Sequence, residues 1–242
     1  MLLKKLSIIA ALLLGSYSAP MAASASDVSS DDSAIEAALA SKARSEKNVL
    51  RDPQRKPEII LALTGVKKGD TVVDLFSGAA GYYAELYSQM VGPEGLVVTH
   101  GKYTKQPFVD GLGNAVHTLS NELEDVDPGV DLIFTAMNYH DLMNATPEGR
   151  DAILAGWLSK LKSGGTLVVI DHNAAVGEGD SVTNTTHRVE DAFVKEEITA
   201  AGFEFVTSID ALRNPEDDHT KGPFDPSIRG KTDRFVLKFM KP

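Results

Sequence analysis

The chain has no cysteine in its 242 residues, so disulfides and thiolate metal sites are closed to it. A core of this size needs no covalent staple, so that absence does not argue against an oxidising compartment. Positive charge is also short, with 24 Lys and Arg against 34 Asp and Glu. Nucleic acid is held by a basic face that releases counterions, so an acidic chain is a poor candidate for it and a small molecule is the expected partner. Apolar runs of the roughly 20 residues that cross a bilayer are missing as well. A shorter run, residues 6–14, follows Lys4 and Lys5 and precedes Ala23-Ser24-Ala25, a small-x-small cleavage pattern. That is the layout of a secretory signal over residues 1–25, predicting export to the periplasm with no stable membrane anchor after cleavage. Its loss leaves 217 residues and 22 basic against 34 acidic side chains.

The mature chain divides into two parts. Residues 26–69 begin with a Ser/Ala/Asp-rich stretch that reads as a flexible lead, followed by helix-forming sequence with Ile35, Leu39 and Ala43 at helical spacing. Pro53 and Pro57 interrupt it before a further helical piece at residues 58–63. From residue 70 to 242, short apolar strands alternate with helices. Strands are expected at 71–75, 96–99, 115–119, 130–135, 166–170, 203–207 and 234–239. Thr146 and Pro147 mark one helix start, and Gly202 follows the end of another. Such alternation predicts a doubly wound α/β domain, a mostly parallel seven-stranded sheet with helices on both faces. The last two strands are joined by a long polar connection, residues 214–233, a length unusual for a passive loop that suggests function or disorder.

Open sheets of this kind bind ligands beyond their strand C-termini, where strand order reverses. The loop from Asp74 to Gly81 follows the first strand. Its small residues permit close backbone approach, and the next helix offers free N–H groups.

The run Val72-Val73-Asp74-Leu75-Phe76-Ser77-Gly78-Ala79-Ala80-Gly81 resembles the strand–loop–helix motif of class I S-adenosylmethionine-dependent methyltransferases. Leu161-Lys162-Ser163-Gly164-Gly165 resembles their turn before strand five, and Ala201-Gly202-Phe203 with residues 234–239 their closing antiparallel strand pair. Four further segments are similar to an exported branch of predicted methyltransferases: residues 51–57, Asn138-Tyr139-His140-Asp141, Asp171-His172 and residues 229–235. The resemblance implies S-adenosylmethionine as cofactor, methyl transfer to a small acceptor, and an antiparallel last strand. Asp74, Phe76, Ser77, Gly78, Gly81, His100 and Asn138 are the expected cofactor-binding residues, and Glu122, with Asp125, follows strand three as a candidate polar contact to the adenosine end. Two departures stand out. Phe76 and Ala80 occupy places that usually hold glycine, and Thr99-His100-Gly101-Lys102 carries no acid for the ribose hydroxyls.

His140-Asp141 follows the fourth strand and Asp171-His172-Asn173 the fifth. An imidazole beside a carboxylate can take a proton from an acceptor, which makes His140, Asp141, Asp171 and His172 the candidate catalytic groups. Polar residues after strands also cap helices and satisfy loops, and that reading stays open at this point. No metal site is assigned. Asp141, Asp171 and Asn173 loosely resemble the magnesium ligands of catechol-type methyltransferases, and His140 and His172 would suit a softer ion. Arg51, Asp52, Arg55 and Lys56 form either a lid that recognises a carboxylate or phosphate, or a solvated surface. The alternatives to methyl transfer are a non-catalytic binding module and a metal-assisted hydrolase or lyase.

Overall fold

A computed structural model describes residues 25–101, 107–142 and 144–242. The expected secretory signal lies almost wholly outside the described residues, as does Lys102. Ten helices and seven strands are described, starting with α1 (Ala25–Leu39), α2 (Glu46–Val49), α3 (Asp52–Arg55), α4 (Pro57–Thr64) and β1 (Thr71–Leu75). There follow α5 (Tyr82–Val91), β2 (Leu96–His100), α6 (Pro107–Leu112), β3 (Ala115–Thr118), β4 (Val130–Ala136), α7 (Tyr139–Leu142) and α8 (Pro147–Lys160). The chain ends with β5 (Leu161–His172), α9 (Thr183–Thr186), α10 (Asp191–Ala200), β6 (Glu204–Ser208) and β7 (Arg234–Met240). No described helix is long and apolar enough to cross a membrane.

The sheet runs β3-β2-β1-β4-β5-β7-β6. The first five strands pair in parallel, while β7 is antiparallel to both β5 and β6. Strand order reverses between β1 and β4, the place where such sheets bind ligands. Successive residues point to opposite faces, so Val72 and Val73, or Val168 and Val169, enter different cores. On one face Val73, Ile133, Val169 and Phe239 pack with Leu154, Trp157 and Ile198 of α8 and α10. On the other, Val72, Phe134, Val168 and Val236 pack with Ile35, Ile60 and Leu86 of α1, α4 and α5. The central strands are covered on both faces, which is why they read as continuous apolar runs.

Two local expectations change. The stretch expected as a flexible lead runs as helix from Ala25 to Leu39, whose buried Ile35 and Ala38 anchor it against the sheet-covering helices. Burial of that face outweighs the indifferent helix propensity of Ser and Asp. Residues 161–165, expected as a turn, are extended and open β5. Gly164 takes φ +76 there, and its N–H donates to Lys241 O at 2.9 Å. Thr146 caps α8 as expected, accepting from Gly149 N.

Candidate functional site

The loop after β1 is tied down from both sides. Phe76 N–H donates to His100 Nδ1 at 3.2 Å, and Ser77 N–H donates to His100 O at 3.0 Å. Asn138 Nδ2 donates to Phe76 O at 3.3 Å and to Ala136 O at 2.7 Å. These anchors hold Phe76 at φ +49, a conformation that costs a non-glycine residue roughly 1–2 kcal/mol. Its ring then meets the His100 ring edge-on, centroids 4.5 Å apart. His100 is buried, and burial pushes its pKa down to about 4, so it is neutral. Because Nδ1 accepts, the proton sits on Nε2, which has no hydrogen-bond partner. Asp74 is buried at the end of β1 with Oδ2 unpartnered, and burial raises its pKa to about 7.

Beyond this loop lies a cavity of about 500 Å³. Of the residues assigned to the cofactor, Asp74, Phe76, Ser77, Gly78 and Asn138 line it. Three do not. His100 sits behind Phe76, and the backbone of Glu122 faces Gly156 of α8. Gly81, expected to admit a ligand, serves packing instead. At φ +54 a Cβ there would strike the Phe108 ring. His172 is the one imidazole among the described lining residues.

The opposite wall is basic. Lys47, Arg51, Arg55, Arg229 and Arg234 line the cavity, with Asp74 as the single acid among the described lining residues. None of the four arginines has a carboxylate partner among the described residues. Burial, reinforced by the Arg55 charge, lowers the Arg51 pKa. Arg55 lies over the Tyr82 and Tyr83 rings, 4.6 and 5.5 Å from their centroids. Arg44 clamps Asp52 through two bonds of 2.8 and 2.7 Å, and Tyr82 Oη donates to the same carboxylate at 2.6 Å. The segment from α2 to α4 is therefore fixed against α5, with Arg51 and Arg55 in the cavity wall and Lys56 exposed outside it. Arg234 Nη2 donates to Gln54 O at 2.8 Å, joining this wall to β7.

At the ends of β4 and β5 a buried carboxylate, Asp171, holds two neighbouring residues in place. Asp171 is completely buried and accepts from His140 N at 2.7 Å, His140 Nδ1 at 2.9 Å and His172 N at 2.7 Å. Burial works to raise its pKa, but the His140 charge and hydrogen bond hold it below the usual range. His140 moves the opposite way: burial lowers it, and Asp171 more than offsets that, leaving its pKa raised. His172 Nδ1 pairs with Thr232 Oγ1 at 2.7 Å, and burial pushes its pKa down to about 3. Of the two carboxylates the sequence offers as orienters, Asp171 is the one that binds a ring, while His172 takes a hydroxyl instead. Asp171 orients His140, Thr232 orients His172, and Asp141 is exposed, 3.8 Å from His140 Nε2.

The magnesium arrangement of Asp141, Asp171 and Asn173 is not assembled. Both Asp171 oxygens accept from His140 and His172, while Asn173 Oδ1 accepts from Asp191 N and its Nδ2 donates to Asp233. The connection between β6 and β7 is ordered by a second buried pair. Arg188 is wholly buried, 2.8 Å from Asp217, and also donates to Asn173 O and Lys221 O. Asp217 in turn accepts from Asp233 N at 2.6 Å. Sequence reasoning missed Thr232 and the Arg188–Asp217 pair, because partners 29 to 60 residues apart leave no local pattern.

No family model matches the chain, and no curated protein matches it by sequence. Solved structures match its fold. An S-adenosylmethionine-dependent methyltransferase from Aquifex aeolicus shares 24% identity over 80% of this chain and 95% of its own, with TM-score 0.56. The N-methyltransferase NodS from Bradyrhizobium japonicum shares 12% over 79% and 98%, with TM-score 0.54. The [4+2]-cyclase SpnF shares 15% over 78% and 80%, with TM-score 0.57. The chain has the methyltransferase fold, a seven-stranded mixed sheet with an antiparallel closing strand. That fold also carries a protein named for a different reaction, so the fold alone does not fix the chemistry.

Proposed function

We propose that this chain binds S-adenosylmethionine above the loop from Asp74 to Gly78 and directs methyl transfer to a small acidic acceptor held by the arginine wall. The observation that carries the reading is Asp74: a buried carboxylate in the cavity wall whose Oδ2 has no partner. A buried acceptor left open beside a cavity is matched by a cationic donor from a ligand, and the ammonium end of the cofactor is one. Phe76, Ser77 and Gly78 give that end a backbone cradle, and the cavity volume suits a ligand of this size. When bound, S-adenosylmethionine would supply an electrophilic methyl group.

The rest falls to the chain's own groups. Four guanidinium groups without carboxylate partners around one cavity favour an acceptor bearing a carboxylate or phosphate. Neutral His172, fixed through Thr232, offers Nε2 to the acceptor's O–H or N–H and so orients it. Its low pKa favours this positioning role over proton storage. Orientation is the main requirement of a methyl transfer. The leader-like residues 1–25 support export, and amino-terminal sequencing of secreted protein tests cleavage after Ala25.

Calorimetric titration with S-adenosylmethionine and S-adenosylhomocysteine tests the cofactor. Micromolar binding is expected, weakened at least tenfold by Asp74→Asn, a loss of about 1.4 kcal/mol or more. An absence of heat at millimolar ligand would sink the reading. Labelled methyl transfer into carboxylates, compared with their neutral amides, tests the acceptor class.

A further inference from the structure

His140, Asp141 and His187 bring two imidazole nitrogens and one carboxylate oxygen within 4.8 Å of one another, outside the group of residues that lines the cavity. We propose that this cluster is a binding site for a divalent transition-metal ion of the zinc type. The inference stands apart from the proposed cofactor, since no residue of the cluster belongs to the loop from Asp74 to Gly78.

The geometry carries it. His140 Nδ1 is engaged by Asp171, so Nε2 is the nitrogen turned toward the cluster, 3.8 Å from Asp141 Oδ1. Ligands of a tetrahedral ion at about 2.1 Å stand about 3.4 Å apart, so the pair needs only a small closure. The His187 ring lies edge-on to His140, centroids 5.4 Å apart, and makes no hydrogen bond or ion pair among the described residues. Its other neighbour is Phe224, which also lines the cavity. Both rings therefore reach the cluster with a nitrogen free.

The Asp171–His140 pair supplies a second, independent feature. Metal-bound histidines commonly donate their other ring nitrogen to a carboxylate, which fixes the tautomer and the ring direction. Here that carboxylate is completely buried and holds His140 through three contacts, to its backbone N and to Nδ1. Two nitrogens and one carboxylate suit zinc, cobalt or ferrous iron better than magnesium or calcium, which prefer all-oxygen shells. Three protein ligands leave a coordination position open, and Asp141 is on the exposed side. The site borders the basic cavity through Phe224 and His172, whose ring centroid lies 6.0 Å from that of His140.

The test uses untagged mature protein, stripped with chelator and titrated with zinc, cobalt and magnesium chlorides without S-adenosylmethionine. One zinc per chain is expected, with a visible cobalt spectrum of low coordination number and no competition by magnesium. His187→Ala and Asp141→Asn should each weaken zinc at least tenfold and bleach the cobalt bands. Circular dichroism of the exposed Asp141→Asn variant keeps a folding failure distinct from a lost ligand. Zinc binding unchanged in both variants, or no binding at about 100 μM metal, overturns the site. Either result leaves the calorimetric test of the cofactor untouched.

Discussion

The two ends of the sheet edge treat buried polar groups in opposite ways. Around β1 and β2, Asp74 Oδ2 and His100 Nε2 are buried without partners. Around β5 and β7, Asp171, Arg188, Asp217 and Asp233 are buried with every charged atom engaged by a neighbour. An unpaired buried group costs stability, typically about 1–3 kcal/mol, and Asp74, which lines the cavity as His100 does not, is placed for a ligand to supply the missing partner. Satisfied networks do the reverse, fixing one arrangement of the loops they join. The satisfied end is thus the frame of the site, and the underpartnered end is where the cavity is open to a ligand.

Substitutions can break this contrast, and the largest effect is expected at the frame. Asp171→Asn removes the charge that pairs with His140, at a cost of about 3–5 kcal/mol, read as a lower urea midpoint. In the parent, Asp171 adds stability above its unfolded pKa that is lost as pH falls through its lower folded value. His140 adds stability below pH 6.5 that is lost as pH rises through its raised folded value. The variant should lose both dependences. A loss below about 1 kcal/mol would mean that the network does not frame the site.

The histidines give a smaller effect that sharpens the comparison. His172 and His100 have folded pKa values pushed down to about 3 and about 4. Unfolded chains take up these protons first, so stability falls as pH drops below 6.5. Each group contributes a slope of about 1.4 kcal/mol per pH unit. His100→Gln and His172→Gln should each flatten that slope by nearly one proton between pH 6 and 5, measured by urea unfolding. Equal slopes in parent and variants would show that the rings are charged in the fold.

The smallest effect has the opposite sign. Asp74 is raised from 3.8 to about 7, so the folded state holds its proton more tightly, and stability falls as pH rises from about 4 to 7. Asp74→Asn should therefore stabilise the ligand-free protein at pH 8, by about 1–2 kcal/mol, while it weakens cofactor binding. A destabilised variant would mean that the Asp74 charge already has a partner in the fold.

Much of this was legible in the residues. Apolar runs bounded by turns located six of the seven strands to within one residue at each end, while β5 begins five residues earlier than expected; in the central strands burial on both faces leaves a local signature. The loop from Asp74 to Gly78 was readable as an edge of the cavity, since strand, small residues and helix are contiguous. His140 and Asp171 were legible as a pair only in the sense that neighbouring strands end there. Which carboxylate turns each ring was not, for Asp141 adjoins His140 in sequence while Asp171 binds it. Gly81 had the right residue type for the wrong reason, its neighbour Phe108 lying on a helix that periodicity did not reveal.

The sequence by itself determined the strand–helix order, the covered sheet, the acidic balance and the polar character of the two segments beside the site. Hydrophobic period and turn chemistry act over a few residues, and a single chain records them directly. Only the tertiary structure decided which polar groups share a cavity. It brought Arg51 and Arg55 against Arg229 and Arg234, set His172 in the wall with Thr232, and left His140, Asp141 and His187 facing one another. Those meetings depend on sheet order and on where long connections return, and no local pattern encodes either.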